Sequence, residues 1–298
     1  MSKVLGKRGF VTIATGDLRY YILAFNLLKS YRLNGKCDAP FAIISDKENE
    51  YTAAFDYVIH FENPSFSFND KLRLIDYLPF EETIFIDADC LVYDDLNLWW
   101  QRFAEADDVC AFGVAHDTLN TGKGWFRASG MHEYSDKISF EPMFNGGVYY
   151  IRNTEVSKQV FSIAKEVAKN YKNYAFNGLF ATPADEPLLA LGMAVCNCRP
   201  ILNETETQVE YIFAPNPKNL DADILQPKAT LKRSDKTVTS RIIHWSNYLT
   251  EKSEYKYQIY EMNHHKNSQF IRFAYYFYDV KAVVYRGVRY AKRKWKSR

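Results

Sequence analysis

Residues 81–95 read EETIFIDADCLVYDD. Ile84, Phe85 and Ile86 form a short, continuously apolar run, as expected of a strand buried on both faces. That run ends on Asp87 and Asp89, separated only by Ala88, before the chain turns apolar again. Carboxylates are seldom buried unless they are paired or bind a metal. A buried strand that ends on two of them therefore presents acidic groups in need of a partner.

The surrounding sequence has the rhythm of such a strand repeated. FVTIAT (10–15), APFAIISD (39–46) and YVIHF (57–61) read as strands. The apolar residues from Leu18 to Tyr31 recur at helical spacing, and NDKLRLIDYL (69–78) reads as a helix opened by an Asn or Asp cap and stopped by Pro79. Alternating helices and two-sided apolar strands predict an α/β fold: a mostly parallel central sheet with helices on both faces. Ligands of such sheets bind beyond the carboxyl ends of the strands, where Asp17 and the Asp87/Asp89 pair fall. Residues 113–143 lose periodicity, as a functional or mobile segment would. NGGVYYIRN (145–153) resumes as a strand, 154–170 and 185–195 as helices, 203–240 as polar and loop-rich chain, and RIIHW (241–245) as a last strand. No linker separates two domains.

Composition narrows the classes. The 298 residues are 47% hydrophobic and 25% charged with a formal net charge of +2, which does not suggest whole-protein attraction to nucleic acid. Five scattered cysteines predict no disulfide framework, and Cys196-Asn197-Cys198 is too tight for a zinc site. No leader-like stretch or eighteen-residue apolar run occurs, so the expected setting is cytoplasmic. The basic segment 286–298, RGVRYAKRKWKSR, follows apolar residues at helical spacing (Phe273, Phe277, Val280, Val284, Val288). Residues 266–298 thus read as an amphipathic tail that docks on a membrane surface or on its own domain, which spans 1–265.

Two carboxylates presented from one strand end suit Mg²⁺ or Mn²⁺, ions that keep positions open for substrate phosphates. A bare D-x-D is more often a turn with capping aspartates, and Asp94 and Asp95 read as such a turn. In DKLRLIDYLPFEETIFIDADCLVYDDLNLWW, however, the motif resembles the donor-site segment of GT-A glycosyltransferases, in particular the retaining glycogenin and lipopolysaccharide galactosyltransferase-like group called family 8. FVTIATGDLRYY is similar to that group's first strand and nucleotide-binding turn, FNGGVYYIRN to its F-N-S/A-G-V strand, ADEPLLAL to its D-Q-x-x-L-N helix start, and IIHW to its late histidine strand.

This resemblance implies a GT-A (Rossmann-like nucleotide-diphospho-sugar transferase) fold. It implies a retaining enzyme that moves a hexosyl group from a UDP-sugar to a glycan or lipid-linked acceptor. It further implies Mn²⁺, with Mg²⁺ as the alternative ion, held by Asp87, Asp89 and His244, with Ala88 between the carboxylates. Ala14, Thr15 and Tyr20 (or Tyr21) would contact the nucleoside, Lys71 the phosphates or sugar, and Asn145, Gly146 and Gly147 would lie under the donor sugar. Asp185 or Glu186 would face the oxocarbenium-like carbon, by double displacement or by front-face attack. The sequence departs from the group after the late histidine, where HWSNYLTEK lacks its glycine and K-P-W triplet and leaves Lys252 as the only basic candidate. The rival readings are a sugar-phosphate nucleotidyltransferase, disfavoured by the absence of a glycine cluster in TIATGDLRYY, and an inactive glycan-binding protein on the same fold.

Overall fold

In the computed structural model, residues 4–177, 184–205, 207–213 and 215–264 are described. The chain opens with strand β1 (Gly6–Ala14) and helix α1 (Leu18–Asn34), then β2 (Phe41–Ser45), β3 (Tyr57–His60), β4 (Phe80–Ile86) and β5 (Cys90–Val92). Helix α2 (Asn97–Arg102), β6 (Val109–His116), β7 (Glu141–Arg152), α3 (Glu155–Lys169) and α4 (Asp185–Val195) follow. Strands β8 (Gln208–Phe213), β9 (Leu220–Asp223), β10 (Lys228–Lys232) and β11 (Thr237–His244) precede α5 (Ser253–His264).

The central sheet has the order β3-β2-β1-β4-β7-β6. Strands β3, β2, β1 and β4 run parallel, while β7 lies antiparallel to both β4 and β6. Five of the six strands therefore share one direction, the mostly parallel α/β sheet expected. Its apolar strands are buried on both sides: Phe10, Ile84 and Ile86 pack into one core with α1 and the second sheet, Val11 and Phe85 into the other with α3 and α4. The start of α1 is fixed locally. Asp17 is extended (φ −76°, ψ 139°) and its carboxylate accepts the Arg19 N–H at 2.8 Å, as an N-cap does.

Three local expectations are corrected. Residues 203–240 are not mainly loop. They supply β8, β9 and β10 to a second sheet of order β5-β11-β10-β9, with β8 alongside β11. β9 and β10 are short and partly exposed, which hides their period, and β8 buries polar Glu210 among apolar residues. The helix expected over 69–78 is a 3₁₀ helix, Phe68–Asp76, and its cap is Ser67, whose Oγ accepts the Asn69 N–H at 3.3 Å. Asp70 instead turns back to take the N–H groups of Ser65 (2.7 Å) and Phe66 (2.9 Å). Strand β7 also begins earlier than residue 145, because buried Glu141 pins the irregular segment before it by accepting the N–H groups of Asn120 and Ala128. Among the described residues no helix is long and apolar enough to cross a membrane. The amphipathic tail expected over 266–298 lies outside the described residues.

Candidate active site

Register builds the site. Strand β4 leaves the central sheet at Ile86, turns through Asp87-Ala88-Asp89, and re-enters the second sheet as β5. The Asp87 N–H still donates to the Gly147 carbonyl at 2.9 Å, so the turn is tied to β7. On its far side β5 pairs antiparallel with β11, with Cys90 opposite His244, and the Trp245 N–H reaches the Asp89 carbonyl at 3.0 Å. Residues far apart in the chain are thereby forced face to face. His244 Nε2 lies 2.9 Å from Asp89 Oδ1 and 3.6 Å from Asp87 Oδ2.

The second half of the site comes from β7 and α4. Lys71, on the 3₁₀ helix, sits between acids: its Nζ is 2.8 Å from Asp87 Oδ2 and 3.4 Å from Asp185 Oδ2, and it donates to the Gly146 carbonyl at 3.2 Å. Asp185, 1% exposed, also accepts the Tyr149 hydroxyl at 2.9 Å. Glu186 is less buried and only loosely held, by the Asn145 amide at 3.4 Å and the Gly146 N–H at 3.3 Å. Gly146 and Gly147 are needed for close approach. A Cβ on Gly146 would stand 2.5 Å from the Tyr149 hydroxyl and 2.6 Å from Asp185 Oδ2, and one on Gly147 would stand 2.6 Å from His244 Nδ1.

The electrostatics follow from this crowding. Four carboxylates (Asp87, Asp89, Asp185, Glu186) face one lysine and one histidine. Burial opposes the charge on Lys71, but Asp185 and Asp87 outweigh it and hold the ammonium above its ordinary range. Burial raises Asp87 and Asp185 against the pull of Lys71, and burial together with Asp185 raises Glu186. Asp89 is the exception: burial pushes it up, yet His244 pulls it below the usual carboxylate range. The same contact raises His244 despite its burial. The excess negative charge and the mixed oxygen and nitrogen donors fit a divalent cation. Asp89, Cys90 and His244 offer donor atoms within 4.8 Å of one another. Asp87 is not in that group: its Oδ2 lies 3.6 Å from His244 Nε2 and is engaged by Lys71 at 2.8 Å.

A cleft of about 580 Å³ runs from Asp87 and Asp89 to the turn after β1, a volume typical of small-molecule sites, while Asn145, Gly146, Gly147, Asp185, Glu186 and His244 stand behind its lining. Ala14, Thr15, Tyr20, Lys71, Asp87, Ala88 and Asp89 all line it. Tyr20 is 51% exposed there, whereas Tyr21 is buried with its hydroxyl on Asp46. Of the two tyrosines, Tyr20 is the one that can meet a ligand. Lys252 rests its ammonium over the Tyr248 ring, 5.3 Å from the centroid, and does not line this cleft. Asp95 caps locally by accepting the Asn97 N–H at 2.8 Å, while Asp94 pairs with Arg241 at 3.1 Å.

Sequence reasoning did not single out Phe66, Phe68, Tyr149 or Cys90. Phe66 and Phe68 are each 64% exposed at the cleft rim. Nothing in the local pattern distinguishes them from core aromatics. Cys90 could have been flagged by its position directly after the D-x-D, where a cross-strand partner must face it.

No protein-family model matches the chain, and no curated protein matches it. The chain is similar to several solved glycosyltransferase structures. One is the galactosyltransferase LgtC in complex with donor and acceptor sugar analogues, at 15% identity and a TM-score of 0.49, over 80% of this chain and 87% of that one. Another is the WbbM bifunctional glycosyltransferase, at 14% identity and a TM-score of 0.48, over 81% of this chain and 46% of that one. A third is GlyE of Streptococcus pneumoniae TIGR4, at 13% identity and a TM-score of 0.41, over 66% of this chain and 45% of that one.

Proposed function

We propose that this chain is a retaining glycosyltransferase of the GT-A type that moves a hexosyl group from a UDP-sugar to a glycan or lipid-linked acceptor, with Mn²⁺ or Mg²⁺ as its ion. One observation carries the reading: Asp87 and Asp89 line a cleft whose other end is the Ala14-Thr15 turn, and His244, brought from the second sheet, stands behind them with Nε2 2.9 Å from Asp89 and 3.6 Å from Asp87. Asp87, Asp89 and His244 would hold the cation, and Cys90 lies close behind them. A bound divalent ion would offset the diphosphate charge and stabilise the departing UDP.

The remaining roles belong to the protein. Tyr20 offers an exposed ring to the base, and Thr15 a hydroxyl to the nucleoside. Gly146 and Gly147 let Tyr149, Asp185 and His244 close on the β7 backbone beside the site. Of the two α4 acids, Glu186 is the one available to a sugar carbon. Asp185 is already held by Lys71 and the Tyr149 hydroxyl, whereas Glu186 has only long contacts. A carboxylate placed there stabilises the developing positive charge of glycosyl transfer. Asp185 then serves to hold Lys71 beside Asp87.

The test is hydrolysis of UDP-sugars by the purified protein with and without Mn²⁺. The reading predicts cation-dependent release of UDP that is lost in Asp89→Ala. Failure of the protein to bind UDP in the presence of Mn²⁺ overturns it.

A further inference from the structure

Asn145 precedes the two glycines of β7, where a side chain would be expected to reach a bound sugar. Here it is committed elsewhere. Its Oδ1 accepts the Gly147 N–H at 3.0 Å and lies 3.1 Å from His244 Nδ1, and its Nδ2 points at Glu186 Oε1, 3.4 Å away. The backbone is held as well, since the Asn145 carbonyl accepts the Tyr211 hydroxyl at 3.1 Å.

These contacts fix which amide atom is which and which ring nitrogen is protonated, neither of which the heavy-atom shape of the side chain decides. A backbone N–H can only donate, so the amide atom facing Gly147 is the oxygen. An amide oxygen can only accept, so the His244 Nδ1 facing it carries a proton. In the neutral imidazole the lone pair is then on Nε2, the nitrogen turned toward Asp89 and Asp87. The other end of the same amide is an NH₂ group aimed at the one loosely held carboxylate.

We propose that Asn145 is a positioning residue: it fixes His244 as the Nδ1–H tautomer with Nε2 turned toward Asp89 and Asp87, and its NH₂ group orients the otherwise loosely held Glu186. The inference rests on the metal-dependent reading above. It assigns Asn145 to the support of the site rather than to the sugar. Metal-binding histidines generally donate their second N–H to such a partner, and loss of the partner costs roughly 10–100-fold in metal affinity.

The two halves of the role separate by substitution. Asn145→Asp keeps an acceptor for Gly147 and His244 but replaces the donor to Glu186 with a repelling oxygen. Asn145→Ala removes both. Mn²⁺ binding is measured on the full chain without donor, from the electron paramagnetic resonance signal of free Mn²⁺, beside UDP-sugar hydrolysis and thermal melting. Asn145→Ala is expected to raise the Mn²⁺ Kd about 10–100-fold. Asn145→Asp is expected to leave the Kd at or below that of the parent while still lowering kcat. The inference is overturned if Asn145→Ala binds Mn²⁺ as the parent does, or if both variants weaken binding equally. Should Asn145→Ala fail to fold, Asn145→Asp decides: tight Mn²⁺ with slow turnover supports the inference, and weakened Mn²⁺ contradicts it. A parent that binds no Mn²⁺ refutes the metal-dependent reading itself, which keeps the two failures distinct.

Discussion

Lys71→Met is the most informative single perturbation of the site's electrostatics. The methionine matches the length of the lysine stem and removes only the ammonium that lies 2.8 Å from Asp87 and 3.4 Å from Asp185. The lysine side chain is 11% exposed and that of Asp185 is 1% exposed, so water replaces little of the lost compensation. Removing one partner of a buried ion pair costs about 3–5 kcal/mol. At roughly 2 °C per kcal/mol for a chain of this size, the melting temperature at neutral pH should fall by about 6–10 °C. The pH dependence has a defined sign. Asp87 and Asp185 already sit above the usual carboxylate range through burial, and loss of the ammonium lifts them further. A folded-state pKa above the unfolded value means that stability falls as pH rises from the unfolded pKa through the folded one. The deficit of the variant should therefore shrink as the buffer is taken from neutral toward the acid side. Mn²⁺ should stabilise the variant more than the parent, because a cation can replace the missing charge. Differential scanning fluorimetry across pH, with and without Mn²⁺, reads all three effects. A variant that melts within about 1 °C of the parent at neutral pH, with the same pH slope, refutes the charge-compensation account.

Other outcomes follow from neighbouring contacts. Gly147→Ala places a methyl 2.6 Å from His244 Nδ1, so the ring must shift; overpacking of about 1–3 kcal/mol and a higher Mn²⁺ Kd are expected by melting and titration. Glu186→Gln should lower kcat for UDP-sugar turnover by about a hundredfold or more with little change in melting. Asp185→Asn should instead lower the melting temperature, because it keeps an acceptor for Tyr149 but removes a charge that compensates buried Lys71. Calorimetric titration at several pH values should show Mn²⁺ affinity rising with pH, since the proton that Asp89 holds on His244 must leave before Nε2 can ligate, and the raised His244 pKa puts that release above the ordinary histidine range.

Much of the fold was legible because its central strands are apolar on both sides. FVTIA, FAIIS and TIFI could only be inner strands, and the intervening periodic stretch could only be α1. The D-x-D and the late histidine were legible as residue types. Their meeting was expected only through the family resemblance, since physically it depends on Cys90 standing opposite His244 in a sheet whose other strands looked like loop. KATLK and LDAD are too short and too exposed on one face to show a period. The unequal fates of Asp185 and Glu186 were also hidden. Adjacent acids in one helical turn point in different directions, and only the packing of Tyr149 and Lys71 shows which one is saturated. The hydrogen bonds of Asn145 to Gly147, His244 and Glu186 were hidden too, because tertiary placement sets them.

The convergence of Asp87, Asp89 and His244 on one cation is tested most directly by diffraction from crystals grown with Mn²⁺ and UDP, collected at the manganese edge. The expected result is a single anomalous peak about 2.0–2.3 Å from carboxylate oxygens of both aspartates and from His244 Nε2, with the diphosphate completing the shell. A UDP complex with no anomalous peak at this point, or with the imidazole turned away from it, contradicts the metal-centred reading.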